Sequence, residues 1–344
     1  SGNVETSRSQ GIKINNPLTK IDMCTIRYSA IFILAFLVQI KILQAQTVNQ
    51  PLKEGLFPIN SIDLHIHAGQ EKQVPLNEWV DLFVKNGRKV LLLLDHLELY
   101  RWSEQEHNDY IKRHKLSNWY PNMETDKVDF MNDIRTIQNR TDALIFRGWE
   151  IWEGELDEGL DKEPMKDAEV IGWHISKAAW DGKAPAGKEF ISRARQILEV
   201  QKEFPVPMII FHPFRTYYDE VRKLATKAGR DIKSIKKDEY RYFTSAQQKE
   251  VIGLLAGSSV YVELSKGFMS LWSDPVVREA FIDDIKPLVD AGVKFTVSTD
   301  AHDLPDVTAP YNPEEQCRAL GISTENVNSV IRELLAIRAR KNLQ

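Results

Sequence analysis

From residue 62 to residue 298 the chain repeats one pattern: a short unbroken apolar run, a polar stretch, then a longer segment with apolar positions three and four apart. The apolar runs predict buried strands at Ile62–Ile66, Val90–Leu94, Leu144–Trp149, Val170–Ile175, Val206–Phe211, Val260–Leu264 and Val293–Ser298. The segments between them predict helices at Leu76–Asn86, Lys127–Asn139, Glu189–Phe204, Ala246–Ala256 and Pro275–Asp290, and a last helix at Val327–Leu343 packs outside them. Strand and helix in alternation imply parallel strands joined by crossover helices. Seven such strands in one series, with no long linker, predict a single α/β domain, a TIM-like barrel. Two connections exceed what a crossover needs, Glu98–Thr125 and Arg215–Thr244. Each follows a strand end, where barrels carry their substrate loops.

Composition narrows the picture mainly by exclusion. The net charge of −4 over 344 residues points to no nucleic acid or other polyanion as partner. Two cysteines, Cys24 and Cys317, exclude a disulfide framework and a thiolate-ligated zinc. Ahead of the repeating pattern, Arg27 precedes an apolar run, Ala30 to Ile40, that suits a signal-peptide core and is short of the roughly 20 residues of a membrane span. Residues 23–46 are therefore expected to be a signal peptide with Ala45 before the cut, or an N-terminal anchor if they stay attached. Residues 1–22 are set aside as an added or upstream segment, and residues 47–344 form the folded domain. The expected location is outside the cytoplasm, periplasmic or secreted. A membrane enters only through an uncleaved anchor, and the oligomeric state is not legible.

The chemistry lies where the strands end. Residues two apart on a strand share a face, so His65 and His67 in Asp63-Leu-His-Ile-His67 aim at one point. Asp95-His96 ends the run Val90–Leu94, which is apolar enough to be buried on both faces. Glu150 closes Leu144–Trp149, an acid whose burial is costly unless it is paired or holds a metal. His174 ends an aromatic strand, and His212 is followed by a proline that stops its strand. Asp300 and His302 again stand two apart after an apolar run. Six histidines and two acids at the same end of successive strands form a ligand set of nitrogen and carboxylate oxygen, which suits Zn²⁺, Mn²⁺ or Fe²⁺. His107 and His114 fall outside this placement and are expected in polar loop or helix.

Taken in order, DLHIHA, LLDH, GWE, FHPF and STDAH resemble the PHP (polymerase and histidinol phosphatase) family, over residues from about 62 to about 302. The resemblance implies a distorted (β/α)7 barrel and two or three divalent metal ions. It would group His65, His67, Glu150 and Asp300 at one ion, with Glu150 bridging to a second held by His174 and His212. His96 and His302 would serve a third. The family's further histidine after His-x-His is replaced here by Gln70-Glu71-Lys72-Gln73, leaving Glu71 or His107 as substitutes. The activity implied is that of a phosphoesterase on a small phosphomonoester: water activated by the metals attacks phosphorus, with Asp300, Glu150 and His302 as catalytic residues. Arg215 and Lys266 are the candidates for binding the substrate anion. Two alternatives stay open: hydrolysis of a carboxylic ester, carbamate or amide on the same barrel, and a non-catalytic metal-binding protein of the cell envelope.

Overall fold

A computed structural model of the chain describes residues 56–67, 74–97, 127–152, 162–175 and 186–341, with a few single positions between them. The expected signal segment, Cys24, Glu71, His107, His114 and most of Glu98–Thr125 lie outside the described residues. The described unit is a (β/α)7 barrel, and its seven strands stand side by side in sequence order. They are β1 (Ile62–Ile66), β2 (Val90–His96), β3 (Leu144–Trp152), β4 (Val170–His174), β5 (Met208–Phe211), β6 (Val260–Ser265) and β7 (Lys294–Ser298). Every neighbouring pair is parallel.

The strands form where side chains are apolar on both faces, and all seven residues of β2 are buried. Three strands run past the expected ends, β6 by Ser265 alone. β2 carries Asp95 and His96 inside its ladder, and β3 continues through Glu150 to Trp152. β5 starts later than expected, because Pro207 lacks the N–H a ladder residue donates; its carbonyl still accepts from Ile171.

Helices cover the outside: α1 (Leu76–Lys85), α2 (Lys127–Gln138), α3 (Gly187–Glu203), α4 (Tyr217–Lys227), α5 (Ser245–Leu255), α6 (Met269–Trp272), α7 (Pro275–Asp290), α8 (Leu304–Thr308), α9 (Pro313–Leu320) and α10 (Thr324–Lys341). Their starts carry the chemistry that helix ends require. Thr244 and Gln247 form a reciprocal capping box on α5, and Asp274 accepts from Val276 and Val277 ahead of Pro275 on α7. No helix among the described residues is long and apolar enough to cross a membrane.

The stretch Arg215–Thr244, expected as a substrate loop, is folded and packed. It contains α4 and two short 3₁₀ turns, and buries Tyr217, Tyr218, Tyr240, Tyr242 and Phe243. These rings meet Phe190, Phe214 and Phe281 edge to face. Its many Lys and Arg residues had masked an aromatic core.

The barrel closes just beyond the end of β7. Asp300 N donates to His65 O at 3.0 Å, and His67 N donates to Ala301 O at 3.0 Å. Asp63 tightens the same seam, accepting from Thr299 N at 2.9 Å and Thr299 Oγ1 at 2.8 Å. The hydrogen bonds that join first strand to last thus fall between candidate ligands.

Candidate metal centre

Strand register brings distant residues together. In the β2–β3 ladder His96 lies opposite Glu150, and in β3–β4 Glu150 lies opposite Gly172, two residues before His174. Gly172 has a steric reason: a Cβ there would come within 1.7 Å of the Phe211 ring. That ring in turn packs 3.9 Å, centroid to centroid, from the His65 imidazole. His212 and Asp300 both have left-handed backbones, with φ of 57° and 56°. Such residues cost about 1–3 kcal/mol each and persist only where surrounding bonds over-determine them. Here His212 N donates to Glu263 Oε2 at 2.7 Å, and Asp300 N donates to the carbonyl of β1.

All eight expected ligands meet in one place. Glu150, 1 % exposed, sits at the centre and splits its two oxygens between two groups of imidazoles. Its Oε2 lies 3.3 Å from His65 Nε2, 2.9 Å from His67 Nε2 and 3.5 Å from His96 Nε2. Its Oε1 lies 3.2 Å from His212 Nε2 and 3.4 Å from His174 Nδ1. Asp300 flanks both groups, with Oδ1 3.4 Å from His65 Nε2 and Oδ2 3.7 Å from His212 Nε2. His302 packs against His67, ring centroids 4.4 Å apart, and His96 stacks on His67 at the same separation. His67 therefore joins the His96–His302 pair, a grouping the sequence had left one histidine short.

Protonation states follow from this crowding. Burial, His302 and His96 together hold the His67 imidazole well below its usual range, and burial pushes His174 down to about 4. Burial also lowers His302. At His65 burial works the same way, but the carboxylates of Glu150, Glu263 and Asp300 outweigh it and hold the ring well above its usual range. Burial raises the Glu150 carboxyl, and the imidazoles of His65, His96 and His174 more than reverse that, leaving it ionised. Asp300 is likewise held low by His212 and His302 against the effect of burial. Neutral imidazoles such as His67, His174 and His302, beside ionised carboxylates, are the forms that bind metal, and His65 would give up its Nε2 proton when an ion binds.

A divalent cation fits this donor set. Glu150 Oε1 and Asp300 Oδ1 are buried and accept no hydrogen bond, and a buried carboxylate oxygen without a donor is costly. Histidine nitrogens and carboxylate oxygens with no thiolate form a ligand set for zinc, manganese or iron.

No family model and no curated protein matches the chain. Among solved structures it is similar to a chain of archaeal ribonuclease P with mature tRNA, at 11 % identity and a TM-score of 0.46, over 82 % of this chain and 93 % of that one. A protein described as a histidinol phosphatase, from Listeria monocytogenes, gives 13 % and 0.43 over 73 % and 98 %. Adenine deaminase from Arthrobacter aurescens gives 13 % and 0.36 over 83 % and 97 %. At these identities and scores the likenesses carry no weight for chemistry.

The two expected anion-binding cations are placed differently. Arg215 is half-exposed, and its Nη1 donates to Asp300 Oδ2 at 2.7 Å, at the edge of the cluster. Lys266 instead turns to the start of α8, donating to Asp306 O at 3.0 Å. Two buried acids escaped sequence reasoning. Asp63, pushed up to about 6 by burial, holds Thr299 next to Asp300. Glu263 lies in Val260-Tyr-Val-Glu-Leu264, and its Oε1 accepts from His65 Nδ1 at 2.7 Å. A single acid inside an apolar strand was the available signal, the same one that marked Glu150.

Proposed function

We propose that the chain is a metal-dependent hydrolase of the PHP kind, a phosphoesterase acting on a small phosphomonoester. The observation that carries this is Glu150, whose two oxygens each face a separate set of imidazoles, the arrangement of a carboxylate shared between two ions. His65, His67 and Asp300 would hold one ion, and His174 and His212 the other, with His96 and His302 beside His67. Divalent ions bound there lower the pKa of water and neutralise charge developing on oxygen.

The chain's own residues supply the rest. Asp300, ionised at neutral pH, can orient water or take its proton at Oδ1. His302 Nδ1 lies 2.9 Å from the carbonyl of Asp300, so the neutral ring donates there and carries its lone pair at Nε2. Arg215 offers a planar guanidinium beside the cluster, suited to bidentate contact with a phosphoryl group. That cation favours phosphate over a neutral ester carbonyl. The apolar run behind Arg27 supports a site of action outside the cytoplasm.

Metal-reconstituted protein assayed on p-nitrophenyl phosphate and p-nitrophenyl acetate tests the substrate class. Turnover of the phosphate ester is expected. Hydrolysis of the acetate alone would replace the phosphoesterase with a carboxylic ester hydrolase.

A further inference from the structure

We propose that Glu263 is a positioning residue, one carboxylate that fixes the orientation of two metal-holding imidazoles from opposite strands of the barrel; this rests on the metal-centre reading above. Glu263 is 1 % exposed, on β6 between β5, which leads into His212, and β7, which leads into Asp300. Its Oε1 accepts from His65 Nδ1 at 2.7 Å and from Ser298 Oγ. Its Oε2 accepts from the backbone N–H of His212 at 2.7 Å and lies 3.4 Å from His212 Nδ1. The same two rings turn their Nε2 atoms toward Glu150 and Asp300.

Each imidazole has two nitrogens, and the hydrogen bond at one decides which face of the ring offers a lone pair. A carboxylate at Nδ1 holds the proton there, so Nε2 is left to bind an ion, and it makes that nitrogen more basic. Glu263 does this for His65 directly. For His212 it acts through the backbone, holding the left-handed conformation that points the ring inward. Both oxygens of Glu263 are engaged by protein donors, whereas Glu150 and Asp300 each keep a buried oxygen with none. That contrast separates a residue that orients ligands from the residues that are ligands.

Length and charge are separable. Glu263→Asp keeps the charge, but the side chain is one methylene shorter and cannot reach His65 and His212 together. Glu263→Gln keeps the length, but presents an amide N–H to one of two donors. Dissociation constants for Zn²⁺ and Mn²⁺, measured by chelator competition on folded protein, are expected to weaken roughly 10–100-fold in both variants. Asp284→Asn, which disturbs a buried carboxylate of α7 remote in role from the site, should lower thermal stability and leave metal affinity at the wild-type value. Wild-type affinity in folded Glu263→Asp overturns the proposal, because an electrostatic role alone would survive that change. If both Glu263 variants fail to fold, Ser298→Ala removes one bond to the same carboxylate; weaker metal binding there supports the proposal and unchanged binding overturns it. Wild-type protein that binds no metal removes the metal-centre reading itself, and the proposal with it.

Discussion

Two clusters in this molecule are built around buried carboxylates, and they differ in how those carboxylates are completed. At the outer layer, Asp284 of α7 is fully buried, and its carboxylate accepts from Arg241 Nε at 2.7 Å and from the backbone N–H groups of Tyr242 and Phe243 at 2.6 and 3.3 Å. Gln248 caps the neighbouring carbonyls of Asp283 and Asp284. Every charge there has a protein partner, and the cluster pins the segment before α5 to α7. At the barrel mouth, by contrast, Glu150 and Asp300 share a site with six imidazoles and still keep buried oxygens that accept nothing. A satisfied polar cluster is architecture. An unsatisfied one, held in place by strained backbone, has the donor set to hold a cation.

The contrast can be broken most forcefully by exchanging the consequences. His67→Ala should remove metal binding by more than the roughly 100-fold seen when an outer-shell partner is lost, and leave unfolding almost unchanged. Elemental analysis beside a denaturant titration checks it; full metal content would reduce the mouth to another structural cluster. Asp284→Ala should do the reverse. It leaves Arg241 unpaired, a loss of about 3–5 kcal/mol for a buried pair, toward the low end because the arginine keeps a quarter of its side chain in water. Metal affinity per folded chain should not move.

Smaller effects sharpen the picture within the mouth. Arg215→Ala should lower kcat/KM for phosphate esters by about tenfold, since the half-exposed cation is partly screened by water, with metal content intact. A neutral ester substrate, if hydrolysed at all, should not register the change. The smallest effect concerns pH. His174 titrates at about 4 in the folded chain, below its ordinary 6.5. Between those values the unfolded chain binds more protons, so the stability His174 contributes is present above 6.5 and lost as pH falls toward 4. Melting temperatures of metal-free protein from pH 7 to pH 4 should therefore fall less steeply in His174→Asn than in wild type.

Much of this site is legible in the sequence, for a specific physical reason. Parallel strands buried on both faces have no use for polar side chains, so His65, His96, Glu150 and Asp300 stand out against apolar runs, and strand direction puts them at one end. Glu263 follows the same logic but stands mid-run with no histidine beside it, and its meaning depends in part on a donor 198 residues away. Asp63 opens the DLHIHA motif, yet its role in clamping Thr299 exists only once the first and last strands meet. The Arg215–Thr244 segment misled because surface charge outnumbers its rings. Its helix and aromatic core come from tertiary packing that local composition conceals. Lys266 illustrates the limit of adjacency: it follows β6 as Arg215 follows β5, but Asp306 claims its ammonium.

We propose that Glu150 stands between two ions, and metal stoichiometry tests that directly. Apo protein reconstituted with Zn²⁺ or Mn²⁺, freed of excess and analysed for metal per folded chain, should hold at least two ions, and Glu150→Ala should lose both together. Fewer than one ion in the wild type, or a Glu150→Ala variant that retains the full complement, would contradict it.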